Sequence, residues 1–304
     1  MALYLTRRLL TLIPAWIGVT LLAFMFVHSI PGGPFDTGAV RPPATRAILE
    51  SHYHLDRSLP VQYVLYMKNV VTGDLGESIV QPGLRVSTVL TQRFPTSAEL
   101  GGAALLVALG IGVPAGLLAA TKRNQLLDRV VMVGATIGYA IPNFILSILF
   151  ILVVGLDLRL LPLGGWGRPS QVVLPALALG LPWASFVARL TRGTVIGTLE
   201  QDYIRTARAK GAGPARVLVQ HAFRNALMPI TTVTALLIAE LITGSLVIES
   251  IFSIPGMGQY LTNSVLGSDY TMTLGLIIFY ATLLFAANVV VDLLYVWLDP
   301  RIRY

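Results

Sequence analysis

Asp202-Tyr203-Ile204-Arg205-Thr206-Ala207-Arg208-Ala209-Lys210-Gly211, continued by Arg224-Asn225-Ala226-Leu227-Met228-Pro229, is a polar, arginine-rich stretch set between hydrophobic spans. The flanking sequence suits lipid, whereas this piece suits water or the surface of another molecule. The chain has 304 residues, 55% of them hydrophobic and 12% charged, with a mean hydropathy of +0.72. A soluble domain carries about 25% charged residues. The composition therefore indicates an integral membrane protein of helical type, since only helices or closed barrels satisfy their backbone groups in lipid. There is no cysteine, which excludes a disulfide framework, a thiolate metal site and a cysteine nucleophile.

Working outward from the loop, six apolar spans can be drawn at 9–30, 100–120, 130–154, 172–190, 230–247 and 272–298. The fourth is interrupted by Pro175, Pro182 and Arg189, which a membrane helix tolerates when its neighbours satisfy the freed carbonyls. The first follows Arg7 and Arg8 but is too long for a cleavable signal and ends without a small-residue exit, so it reads as an uncleaved first membrane helix. Gly112 and Gly116, and Gly134 and Gly138, are each four apart, a spacing that lets helix backbones approach closely.

The formal net charge is +7. With the N-terminus in the cytoplasm, the inside pieces are 1–8, 121–129, 189–229 and 299–304. They hold Arg7, Arg8, Lys122, Arg123, Arg129, Arg189, Arg192, Arg205, Arg208, Lys210, Arg216, Arg224, Arg301 and Arg303, the larger part of the 22 basic residues. Short inside loops rich in Lys and Arg are the expected bias, and both termini inside agrees with an even number of spans. The basic balance is thus read as membrane orientation and not as nucleic-acid binding. The long outer segment opens with the breaker Pro31-Gly32-Gly33-Pro34, has helical patterns near 45–53 and 61–71, and turns at Gly73-Asp74-Leu75-Gly76. It reads as a small ordered cap.

Chemistry-bearing motifs are missing. None of Lys68, Lys122 and Lys210 follows a glycine, so there is no G-x-x-x-x-G-K-[ST] phosphate loop. H-E-x-x-H and G-x-S-x-G are absent, and His28, His52, His54 and His221 form no metal-ligand pattern. No catalytic residue, metal site or cofactor is expected in this chain.

The loop itself has two helical halves. In the first, about 198–210, Tyr203, Ile204 and Ala207 cluster on one side and Arg205 and Arg208 lie on another, with Gly211 as a left-handed cap. Gly213-Pro214 opens the second half. An apolar ridge flanked by arginines fits a groove of a soluble partner. The same features fit a basic amphipathic helix lying on anionic lipid, and amphipathicity alone does not choose between them.

The pattern Arg205-Thr206-Ala207-Arg208-Ala209-Lys210-Gly211, followed by Leu227-Met228-Pro229, resembles the EAA loop of ATP-binding-cassette importer permeases. In the general form Glu-Ala-Ala precedes a Gly at fixed spacing. Here Arg205-Thr206-Ala207 takes that place and Gly211 is the Gly. The departure from Glu and the longer run to Pro229 look like the dipeptide/oligopeptide branch. So do Arg7-Arg8-Leu9-Leu10 through Ile30-Pro31-Gly32, Gly73-Asp74-Leu75-Gly76-Glu77-Ser78, Phe94-Pro95-Thr96-Ser97-Ala98-Glu99-Leu100, Glu249-Ser250-Ile251-Phe252-Ser253-Ile254-Pro255-Gly256-Met257-Gly258 and Asp299-Pro300-Arg301-Ile302-Arg303. The likeness spans nearly the whole chain and fits the B-type subunit.

The resemblance implies an all-α type I importer fold with six transmembrane helices. It implies a cytoplasmic N-terminus and first helix (1–30), an extracytoplasmic segment (31–94), a permease domain (95–298, coupling loop about 198–229) and a cytoplasmic tail (299–304). It also implies residence in a bacterial cytoplasmic membrane. A C-type permease subunit would complete a peptide pore, two ATPase subunits would hold ATP and Mg, and an extracytoplasmic binding protein would deliver cargo. Tyr203, Ile204, Ala207 and Gly211 would form the docking ridge and turn, with Arg205, Arg208 and Lys210 orienting it by charge. The rival reading is a self-contained secondary transporter or channel, which would often be built from inverted repeats; no matching halves are visible in the sequence.

Glu240 lies 11 residues after Pro229, roughly 16 Å along a helix and so near mid-membrane. An acid there costs about 2.5–3.5 kcal/mol on insertion scales and should face a polar interior. Thr243 and Gly244 share its side. It reads either as a pore-lining acid that meets a peptide amine or as a hydrogen-bonded link to another helix. Asn288, Asp292 and Tyr295 form a polar stripe on the last span, which suits a structural role near interfacial water. Glu249 is expected at the outer mouth, where the family match suggests contact with the binding protein or a gate.

Overall fold

Among the described residues, the apolar runs fold mainly as helices. A computed structural model of the chain describes residues 2–30, 33–35, 42–242 and 245–298, with side chains except at 2–9, 43, 45, 239 and 291–298. Residues 31 and 32 of the expected breaker, Thr243 and Gly244, and the tail 299–304 lie outside the described residues. The helices are α1 Ala2–His28, α2 Pro43–His52, α3 Leu59–Val71, α4 Val86–Thr121, α5 Leu126–Ala140, α6 Asn143–Asp157 and α7 Pro169–Leu199. They continue as α8 Asp202–Ala209, α9 Pro214–Ile242, α10 Leu246–Ile251, α11 Met257–Leu266 and α12 Tyr270–Leu298. Among the described residues, β pairing is confined to one isolated bridge between Glu77 and Arg85.

Five of these helices are long and apolar enough to cross a membrane, and α5 with α6 makes a sixth span if the pair is counted as one. The third span is therefore not the straight helix its apolar run suggests: α5 and α6 meet at 102°. The cause is local. Pro142 disfavours a helical residue before it, and Ile141 is extended at φ −80°, ψ 122°. The fourth span does the opposite. α7 runs through Pro175 and Pro182 without a break and is the most deeply buried of the spanning helices. The fifth span also differs from expectation. Its helix starts at Pro214, inside the polar loop, and ends at Ile242, so Val247 belongs to α10.

The chain divides into two units. In the first, residues up to 97 pack with 255–286. Among the described residues of the cap, α2 and α3 lie at the two expected helical patterns. Asp269 anchors the cap from the start of α12: its carboxylate accepts from Met272 N at 3.1 Å as an N-cap, from Ile79 N at 3.1 Å, and from the Ser78 hydroxyl. Gly76 takes φ +86°, and a β-carbon there would press on Thr271 Cγ2. The Tyr63 hydroxyl meets Thr20 Oγ1 at 2.8 Å and ties α3 to α1.

In the second unit α7 is the axis. A β-carbon on Gly112 or Gly116 of α4 would stand 2.6 or 2.5 Å from the Ala184 or Ala188 carbonyl oxygen. This glycine pair is thus where α4 meets α7, as the spacing suggests. Gly138 lies against Ser185 of α7, whereas Gly134 faces no close neighbour. The core joins Leu100, Ala104, Leu174, Ala178, Leu179, Leu237, Leu241, Ile248 and Phe252.

Candidate coupling helix and cavity

The polar loop folds as its residues dictate. α7 ends at Leu199 and α8 begins at Asp202. α8 closes in a Schellman motif: Gly211 sits at φ +85°, its N–H reaches the Arg208 carbonyl at 2.9 Å, and Ala212 N reaches the Ala207 carbonyl at 3.1 Å. Gly213 and Pro214 then start α9, with proline at the first helical position, where its missing N–H costs nothing.

Around α8 the side chains separate by face. Tyr203, Arg205, Arg208, Lys210 and Gly211 are exposed and Ala207 is half-buried. Arg205 pairs with Asp202 at 3.5 Å in open solvent. Ile204 is wholly buried. That corrects the expected docking ridge, because a side chain enclosed by its own chain presents nothing to a partner; Ile204 is an anchor. α8 packs on the segment Val217–Phe223, the early part of α9 that is wound as a π-helix. A second tie joins the Tyr203 hydroxyl to the side-chain amide of Asn225, which donates to it. The arginine-bearing face is free while the helix is fastened to α9 from behind.

At the far end of α9, Leu237 and Leu241 enter the core and Leu241 lies against Gly101 of α4. Glu240 therefore points elsewhere. It lines a cavity of about 470 Å³ with Tyr139, Pro142, Asn143, Pro182, Trp183 and Ser245 among its walls. Trp183 and Phe186 form an edge-on ring pair at 6.2 Å. A carboxylate among aromatic and proline walls suits a cationic group carried on an apolar body. The bend at Ile141–Pro142 is what brings this corner of the chain to the cavity.

The remaining sequence candidates are placed differently. Glu249, in α10, is fully buried. It is not presented to a protein arriving from outside, which goes against the binding-protein contact and leaves the gate alternative. Asn288 is half-buried on α12. Asp292 is helical by backbone, and its side chain lies outside the described residues.

One further charged contact has no local signature in the sequence. Asp128, at the start of α5, is buried and receives two hydrogen bonds from Arg192 of α7, Nε to Oδ1 at 2.6 Å and Nη2 to Oδ2 at 2.8 Å. Asn124 N donates to the same carboxylate at 2.8 Å. The partners are 64 residues apart, so no local pattern joins them. The one available signal was an acid in a loop segment otherwise rich in Lys and Arg. A nearby pair, Arg123 with Glu200, is exposed on both sides and contributes little.

Fold and site together define a membrane permease component, and comparison with known proteins agrees. Residues 112–304 match the family described as binding-protein-dependent transport system inner membrane component, and the chain belongs to that family. It is 43% identical over 303 residues to the dipeptide transport system permease protein DppB of Bacillus subtilis (strain 168), covering 100% of this chain and 98% of that protein. It is 39% identical to the oligopeptide transport system permease protein OppB of Salmonella typhimurium, with 99% of each chain covered. An inward-facing structure of the MetNI methionine ABC transporter matches with a TM-score of 0.60 and 19% identity, covering 70% of this chain and 97% of that one. The fold is the type I ABC importer transmembrane fold, and the chain is a transport component and not an enzyme.

Proposed function

We propose that this chain is half of a peptide-conducting pore whose opening is driven by ATPase subunits that grip α8. The observation that carries the reading is the continuous helix α9. Its early turns hold α8, and its last turns bring Glu240 to the cavity. A push on α8 therefore moves a cavity wall. Peptide as cargo is supported by the near full-length likeness to dipeptide and oligopeptide permease proteins. The wall chemistry supports it too, since Glu240 beside Trp183 and Tyr139 suits a free α-amino group next to apolar side chains.

In this reading a C-type permease subunit completes the pore. Two ATPase subunits hold ATP and Mg, and an extracytoplasmic binding protein delivers the peptide; no cofactor resides in this chain. Tyr203, Arg205, Ala207, Arg208, Lys210 and Gly211 meet the ATPase while Ile204 anchors. ATP binding favours one arrangement of the helices over the other by its differential free energy, which is what shifts the population. Residues 31–94 are extracytoplasmic and 95–298 form the permease domain. Both termini face the cytoplasm of a bacterium, as the distribution of Lys and Arg favours. Glu249 serves as a buried gate element, and the half-buried Asn288 is the pathway candidate on α12.

The test is an acidic substitution at the half-buried Ala207 of α8. Ala207→Asp should leave membrane insertion intact and the ATPase subunits able to hydrolyse ATP, while ATP-driven peptide uptake in reconstituted vesicles is lost. Unchanged uptake would count against the assignment.

A further inference from the structure

The Asp128–Arg192 pair lies at one end of two helices whose other parts line the cavity. α5 contributes Tyr139, and α7 contributes Leu179, Pro182 and Trp183. Arg192 is seven residues before the end of α7, two turns from the start of the coupling loop. The pair is bidentate, its carboxylate is buried, and the carboxylate also takes the Asn124 N–H of the turn before α5. Asn124 holds a left-handed backbone at φ +63° to make that bond. Further along the same two helices, Gly138 lies against Ser185. Two contacts well apart along an interface fix both distance and rotation between the helices, which one contact cannot.

We propose that Asp128 and Arg192 are positioning residues that clasp α5 to α7 as one body throughout the transport cycle, so that movement received at the coupling loop reaches both walls of the cavity in step. The inference rests on the proposed function, in which that movement is driven from α8. The clasp is a charge pair for a geometric reason. A bidentate guanidinium–carboxylate contact adds a preferred orientation to the distance it sets, which a non-directional apolar contact does not.

The absence of cysteine allows a clean cross-linking test. A β-carbon at position 138 would stand 3.7 Å from Ser185 Cβ, inside the span of roughly 3.5–4.5 Å that a disulfide bridges. The complete transporter carrying Gly138→Cys with Ser185→Cys is reconstituted, oxidised, and compared with its reduced form for peptide uptake and ATP hydrolysis. If the helices move together, the oxidised form keeps uptake within about twofold of the reduced form. A block on oxidation that reductant reverses overturns the proposal, because it means that α5 and α7 must shift against one another.

Asp128→Asn supplies the second arm. Uptake per ATP hydrolysed should fall about tenfold, and the disulfide in the same chain should restore it only when oxidised. Full uptake in Asp128→Asn also overturns the proposal. Should that variant fail to insert, the double cysteine variant decides alone. A wild-type transporter that shows no ATP-driven peptide uptake counts against the proposed cargo and not the clasp. The same variants are then read by ATP hydrolysis stimulated by the binding protein.

Discussion

At the scale of single residues, Glu240 and Gly211 are the two positions that most directly test the proposed coupling. Glu240 lines the cavity, and a charge-assisted contact to a peptide amine is worth about 1.5–3 kcal/mol. Glu240→Gln should therefore weaken handling of peptides with a free amine by roughly 10- to 100-fold, and spare N-acetylated ones, in uptake measured at saturating binding protein. Normal transport with lowered thermal stability would make Glu240 a scaffold residue. Gly211 adopts φ +85° with open space around it, so a larger side chain there meets backbone strain of about 1–2 kcal/mol and no clash. Gly211→Val should loosen the end of α8 and lower uptake per ATP while the chain still inserts, as measured in vesicles. The glycine cap was legible because glycine takes the left-handed conformation with least strain. Ile204 was not. A helical wheel gathers Tyr203, Ile204 and Ala207 on one side, but it does not say whether that side meets a partner or the chain's own α9. The Asp128–Arg192 pair was less legible still, since a contact across 64 residues leaves no periodic trace.

At the scale of elements, hydropathy located the spans because lipid sets their length. It failed where a helix changes solvent without ending. α9 is one helix from Pro214 to Ile242, yet Arg216, Gln220, His221, Arg224 and Asn225 interrupt its first half, so the apolar run alone begins at Ile230. It failed also at Ile141–Pro142, where an unbroken apolar run hides a 102° bend. The proline was the signal, and it carried weight only because its neighbour Ile141 is extended; Pro175 and Pro182 in α7 carry no break. Gly112→Leu should overpack the meeting of α4 with α7 and cost roughly 1–3 kcal/mol, seen as a lower unfolding temperature in detergent. Gly134→Leu, on the glycine with no close neighbour, should cost much less. In the cap, Asp269→Ala removes the N-cap of α12 and the anchor of Ser78 and Ile79 together. Its loss should exceed that of an ordinary cap, about 0.5–2 kcal/mol, and should appear as earlier proteolysis within residues 42–97.

At the scale of the whole molecule, the chain is the membrane component of a binding-protein-dependent transport system. The chain has no phosphate-binding loop. Its continuous helix α9 links an exposed arginine-bearing rod to a cavity bearing one carboxylate. The most direct measurement is peptide uptake into vesicles that hold this chain alone, this chain with its partner permease, or both with the ATPase subunits and binding protein. Uptake is expected only in the last, only with ATP inside the compartment the ATPases face, and none after Ala207→Asp. ATP-independent uptake by the isolated chain would contradict that expectation.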